Sequence, residues 1–262
     1  MIYTCYEMIR DCQADRAEGW SYLVTHYTPV MQRILRHYVP SLAGEASTGE
    51  ILKTLRNPQS TLFRSLEPAP ERWFVGGLRQ HVLAAADGMA PAGEPGISVN
   101  LEVLTEALEP LTLLEKQGVW LEGMRYAPEA AGTLLRMEPR TVEKIREKAS
   151  ELLRSKLDVW RRNVLAENGA RLGRLAEGAG GTECLPSKAF LDVLDGRTTW
   201  FGREEMERHV KNCWHCIDHF CRMTEVVELL RGVKPLEEAE AARLLQAMGV
   251  VKAGRKRWFA RG

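Results

Sequence analysis

Long apolar runs are missing from this 262-residue chain, and none approaches the ~18 residues that a membrane span needs. No membrane partner is therefore expected. The opening stretch, Met1 to Arg10, lacks the basic-then-apolar pattern of a secretory signal, so a cytoplasmic protein is expected. Charge imbalance is equally scarce: the net charge is +1, so local patches must decide whether nucleic acid is a partner. Strand-like alternation is rare, and no internal repeat stands out. There is no Gly-rich phosphate loop, no Ser nucleophile elbow and no convincing carboxylate pair. A non-enzyme is the expectation.

What is present reads as helix. Hydrophobic residues make up 45% and charged residues 27%, the balance of a folded protein. From Ala17 to Tyr38, Trp20, Leu23, Val24, Tyr27, Val30, Met31, Ile34, Leu35 and Tyr38 recur at steps of three and four, which puts them on one helix face. Prolines and glycines cluster at residues 87–96, and three glycines fall at Gly178, Gly180 and Gly181. The chain is expected to be all-α, with three helical domains. These are a helical domain over 1–87, a linker over 88–99, a second helical domain over 100–166, a linker over 167–183, and a cysteine-containing helical domain over 184–262 that ends in a basic tail.

The second domain carries a helix-turn-helix pattern. Leu113, Leu114, Val119, Trp120 and Leu121 suggest a buried scaffold helix, and residues 126–135 a short helix with a small-residue face. Residues 136–140 form the turn. A longer helix is expected from Thr141, with Val142, Ile145, Ala149, Leu152 and Leu153 inward. Its start offers Arg140, Thr141, Lys144, Arg146 and Lys148; from Arg136 to Arg162 there are nine Lys/Arg against five Asp/Glu. Such a stripe suits phosphate contact at a major groove. The same spacing also fits a plain helical hairpin with a solvated charged face.

In the third domain, His209-Val210-Lys211-Asn212-Cys213-Trp214-His215-Cys216 is His-x3-Cys-x2-Cys. Zinc takes about four N/S ligands in a tetrahedron. If this segment is one helix, all three ligands lie on one face. Cys184 is the leading candidate for the fourth, with His215, His219 and Cys221 as alternatives. Zn2+ in a structural site is the expected cofactor, against a metal-free cysteine cluster.

Families resembling these segments sharpen the reading. Leu104 to Leu111, Gly123, Tyr126-Ala127-Pro128-Glu129, Thr141-Val142 and Ala149 resemble region 4 of extracytoplasmic-function sigma factors. The resemblance implies contact with the −35 promoter element through Arg140, Thr141, Lys144, Arg146 and Lys148, and docking on the β flap of RNA polymerase core. Residues 17–24, 27–30, 60–65 and 72–79 resemble region 2 of the same family. That implies binding to the β′ clamp and recognition of the −10 element, with Arg72, Trp73, Arg79, Gln80 and His81 facing DNA. The sequence departs from the family at 44–50, where an acidic stretch is usual, and at 82–87, where basic residues are usual.

Cys184, Phe190 to Gly196, Glu204, Glu205, Glu207 and His209-x3-Cys213-x2-Cys216 resemble zinc-binding anti-sigma domains. In that family one Cys, the His and the Cys-x2-Cys pair hold the zinc. The expectation is thus an alternative sigma factor fused to a regulatory zinc domain, with promoter DNA, RNA polymerase core and an anti-sigma or other regulatory protein as partners. The second reading is a sigma-like scaffold that binds a partner protein without starting transcription.

Overall fold

A computed structural model describes residues 3–57, 62–63, 71–89, 101–156 and 169–250. Most of the expected first linker, residues 60, 61, 64 and 65 of the region 2-like segment, the stretch 157–168 and the basic tail 251–262 lie outside the described residues. Among the described residues there are thirteen α-helices, one 3-10 turn at Pro40–Leu42 and no strand, so the chain is all-α as its periodicity predicts. None of these helices is long and apolar enough to cross a membrane.

The first group contains α1 (Cys5–Gln13), α2 (Ala17–Tyr38), α3 (Glu45–Arg56) and α4 (Glu71–Met89). Helix α1 begins at a capping box in which Thr4 and Glu7 each satisfy the other's backbone N–H. It crosses α2 so closely that a Cβ on Gly19 would lie 2.7 Å from the Cys12 nitrogen. The predicted stripe on α2 is the centre of this group, every one of its nine residues being at most 3% exposed. Pro29 interrupts α2 without ending it. Having no N–H, it leaves the Thr25 carbonyl without its usual helical donor. That carbonyl accepts instead from the Leu236 amide at 2.8 Å, a residue near the C-terminal end.

The second group is α5 (Leu101–Ala107), α6 (Leu113–Gly123), α7 (Pro128–Leu135) and α8 (Pro139–Lys156). Thr112 and Glu115 cap α6 reciprocally, and the left-handed Arg136, φ 56°, ends α7. Helix α8 starts at Pro139, two residues earlier than the sequence suggested, because proline's fixed φ suits the first helical turn. Val142, Ile145, Ala149 and Leu153 are buried, as their spacing predicts. The turn is tight: a Cβ on Gly132 would come 2.7 Å from the Met137 carbonyl oxygen.

The third group is α9 (Gly169–Gly178), α10 (Ser187–Leu194), α11 (Trp200–Val210), α12 (Trp214–Leu230) and α13 (Glu238–Ala247). The stretch 167–183, expected as a linker, therefore carries helix α9, which packs on α4 and α12. The glycines at 178, 180 and 181 fall at and after the helix end rather than inside it. Helix α12 touches α2, α4, α6 and α7 as well as its own neighbours α9, α10 and α11. It joins the three groups into one continuous core. Arg33 of α2 closes the C-terminal end of α12 by donating to the carbonyls of Glu228, Leu229 and Arg231 at 2.9–3.1 Å.

Acid should loosen the first group. The Arg56 hydrogen bond holds the Asp15 carboxyl below its ordinary value, with Trp20 Nε1 adding to it. The Tyr3 hydroxyl, with Arg16 and Arg10, does the same for Asp11. A depressed carboxylate contributes stability above its unfolded pKa, and that stability is lost as pH falls through the folded value. The thermal midpoint is therefore expected to stay level from neutral pH and to drop below about pH 4. Asp15→Asn should flatten some of that drop in a melting series.

Candidate metal centre and nucleic-acid interface

Three loops and helix ends converge on one point in the C-terminal group. Cys184 closes a turn, its N–H donating to the Gly181 carbonyl, while the Gly181 amide donates to Cys184 Sγ at 3.3 Å. His209 lies in the last turn of α11, Cys213 is the N-cap of α12, and Cys216 is in its first turn. The three ligand candidates are thus not on one helix face, as the spacing suggested. Helix α11 stops at Val210, and the Asn212 and Cys213 amides turn back onto the carbonyls of His209 and Val210.

The ligand atoms of Cys184, His209, Cys213 and Cys216 lie within 4.8 Å of one another, the one such group among the described residues. Cys184 Sγ and Cys213 Sγ are 3.7 Å apart, and His209 Nε2 is 3.2 Å from Cys216 Sγ. Metal–sulfur bonds near 2.3 Å in a tetrahedron require sulfurs about 3.8 Å apart. The cluster therefore fits a single ion. A hydrogen bond from the Cys216 thiol holds Cys213 down to about 4, against the opposing effect of burial. The Cys216 amide also favours that thiolate; the Cys216 thiol itself is pushed up by its bond to Cys213 and by burial, against which the Leu185 amide acts. Such amide donors accompany thiolate ligands in metal knuckles.

The alternative ligands are used elsewhere. His215 Nδ1 sits 3.1 Å from the Ala176 carbonyl, and His219 Nε2 2.8 Å from Ser187 Oγ. Burial raises the Cys221 thiol well above its ordinary value, leaving it a core residue.

At the helix-turn-helix, Arg140, Thr141 and Lys144 are exposed on the first turns of α8. Neither cation has an ion partner among the described residues. Arg146 behaves differently: half-buried, its guanidinium donates to the Tyr126 carbonyl at 2.7 Å and lies 3.9 Å from Glu122. It braces the motif and does not stand free for phosphate, which corrects the expectation for it. Lys148 pairs with Glu115 at 2.8 Å and keeps about half its side chain exposed.

The face of α4 tells a different story. Arg79, expected to face DNA, is 1% exposed; its Nε lies 2.7 Å from Glu225 Oε2 of α12, and Nη2 donates to the Tyr38 hydroxyl at 2.8 Å. Burial opposes its charge, but the Glu225 carboxylate raises its pKa well above the ordinary value. A guanidinium inside the core does not reach a phosphate, so that expectation is corrected. Gln80 donates to Glu177 Oε2 of α9 at 2.8 Å, and Arg72 lies 3.4 Å from Asp195 after α10. His81 Nε2 contacts Thr54 Oγ1 at 2.9 Å. Trp73 is half-buried and lines a cleft of about 500 Å³ between α4 and the third group.

Three of the five α4 residues are therefore held by acids of the third group. Glu177 and Glu225 were not singled out in the sequence, where they look like ordinary surface charges, and Asp195 entered only as part of the Phe190–Gly196 resemblance. One signal was legible for Glu225: Asp218, Arg222 and Glu225 recur at steps of four and three, which puts them on one face of their helix. Arg222 Nε is 3.3 Å from Asp218 Oδ2, and its Nη2 2.9 Å from Glu177.

No family model, no curated protein and no solved structure matches this chain.

Proposed function

We propose that this chain is a sigma-type transcription factor that contacts promoter DNA with the start of α8 and RNA polymerase core with its first two helical groups. Its C-terminal group is a built-in restraint, organised by zinc at Cys184, His209, Cys213 and Cys216. One observation carries the reading. Free cations stand on the leading turns of a helix-turn-helix, while Arg72 and Gln80 on α4 are paired with Asp195 and Glu177 of the third group. Carboxylates in those places occupy positions where phosphates would otherwise be bound.

Three thiolates and an imidazole form a soft donor set that favours zinc over magnesium or calcium. Bound there, zinc supplies a cross-link that joins the Cys184 turn, α11 and α12. The cysteines and histidine serve as ligands, and four donors fill a tetrahedral zinc shell.

The test is transcription by core polymerase with the full chain, beside a variant carrying Glu177→Gln and Asp195→Asn. The variant should bind core and promoter fragments more tightly and start more transcripts. Lys144→Ala and Arg140→Ala should each weaken DNA binding and lower the salt slope of the affinity by about one, read from fluorescence anisotropy across salt concentrations. Arg146→Ala should chiefly lower the melting temperature.

A second reading is favoured by the burial of Arg79: a sigma-like scaffold that binds a partner protein without opening DNA. It predicts core binding with no transcripts from either protein.

A further inference from the structure

The residues that separate the candidate ligands do more than connect them. Trp214, between Cys213 and Cys216, turns its indole toward the helix-turn-helix group. It stacks on Trp120 of α6 with ring centroids 5.0 Å apart and planes at 26°. Its Nε1 donates to Thr105 Oγ1 of α5 at 2.9 Å, and Trp120 Nε1 donates back to Asp218 Oδ1 of α12 at 3.0 Å. Lys211, between His209 and Cys213, presents its carbonyl to Lys116 Nζ of α6 at 3.0 Å. Lys116 is 1% exposed, so its ammonium depends on that carbonyl being aimed at it.

Both chain segments that join ligand to ligand are thus gripped by α5 and α6. Helix α6 is in turn the support of α8: a Cβ on Gly118 would lie 3.1 Å from Ile145 Cγ2. Lys148 of α8 also pairs with Glu115 of α6 at 2.8 Å. A change in the path of residues 211–216 would strand a buried ammonium and pull apart a stacked pair of indoles. Neither loss is small, so the loop and the helices should move together.

We propose that the loop Lys211–Cys216 is a relay in which Trp214 and Lys116 act as positioning residues, coupling metal occupancy at the four ligands to the placement of α6 and the DNA-facing α8. This rests on the metal reading given above and goes further, because it assigns the ion a second effect about one helix layer away from its own ligands.

The relay is tested on the full chain, stripped of metal under reducing conditions and then titrated with Zn2+. Metal content, hydrogen exchange by helix, and the near-ultraviolet circular dichroism of the stacked indoles are read in parallel. Binding of one Zn2+ should slow exchange in α6 and the first turns of α8 by about tenfold and leave α3 unchanged. In Trp214→Leu one Zn2+ should still bind, but the slowing in α6 should shrink to less than about twofold; Trp214→Phe, which keeps a stacked ring, should restore most of it. Lys116→Met should act in the same direction. If Trp214→Leu fails to fold, Thr105→Val removes the indole's acceptor without touching the loop and should give a partial loss.

One Zn2+ bound with unchanged exchange in α6 and α8 overturns the relay and leaves the metal reading standing. So does slowing that persists undiminished in Trp214→Leu and Lys116→Met. Failure of the intact chain to bind Zn2+ removes both. A relay seen in exchange, with no binding of promoter fragments, leaves the relay and removes the DNA reading.

Discussion

Glu225→Ala is expected to lower the unfolding free energy by about 3–5 kcal/mol, the range for removing one partner of a buried ion pair. Both side chains of the Arg79–Glu225 pair are at most 3% exposed. Tyr38 bonds to each of them, its hydroxyl lying 3.0 Å from both Glu225 oxygens and accepting from Arg79. Without the carboxylate, a guanidinium stays inside the core with only neutral acceptors, the Tyr38 hydroxyl and the Gln80 amide oxygen. Single domains hold only about 5–15 kcal/mol in total, so the variant will be marginal. The double replacement Arg79→Met with Glu225→Leu should recover most of the loss, because apolar side chains of similar volume avoid the desolvation cost. Urea unfolding of the two singles and the double gives the coupling directly. Additive losses would show that the pair is not a unit.

Metal removal should have a comparable effect, greatest in the third group and passing through Trp214 and Lys116 to α6 and α8. Structural zinc contributes on the order of 10 kcal/mol or more to small metal-dependent folds. Helices α10 and α11 are short, eight and eleven residues, and marginal without tertiary support. Taking about 5 kcal/mol as the share that the common core does not compensate, chelation should lower the thermal midpoint by about 10–20 °C. Cys216→Ala should reproduce that shift and abolish its zinc dependence. An equal midpoint with and without chelator, in a protein shown to carry zinc, would mean that the ion does not hold the fold.

The helices and the metal ligands were legible because each rests on local information. A stripe at steps of three and four marks α2, and Thr112 followed by Glu115 marks the start of α6. Cys184 joined the metal group from the sequence because thiols and imidazoles at these spacings have few other uses. The partners of α4 were not legible, since Tyr38 and Glu225 are 187 positions apart and nothing local ties them. Arg79 looked like a surface cation for the same reason, as burial of a charge depends on a partner supplied by the fold. The glycines near 180 suggested a linker, whereas a Cβ on Gly180 would lie 2.7 Å from the His215 ring, so that glycine allows close packing. The ligand geometry was half legible: residue types were right, but the break between α11 and α12 follows from turn bonds that the His-x3-Cys pattern does not encode.

Proline at position 29 has a consequence for the order of events at the ribosome. The nascent chain presents α2 with an open carbonyl at Thr25, and the amide that closes it belongs to Leu236, made 211 positions later. Arg79 likewise waits for a carboxylate 146 positions later, that of Glu225. Until those residues emerge, the first helical group is therefore a body with an unfilled seam and an unmatched cation, the kind of surface that a chaperone or another polypeptide can occupy first. The segment that carries Glu225 and Leu236 closes both gaps and evicts any such early occupant.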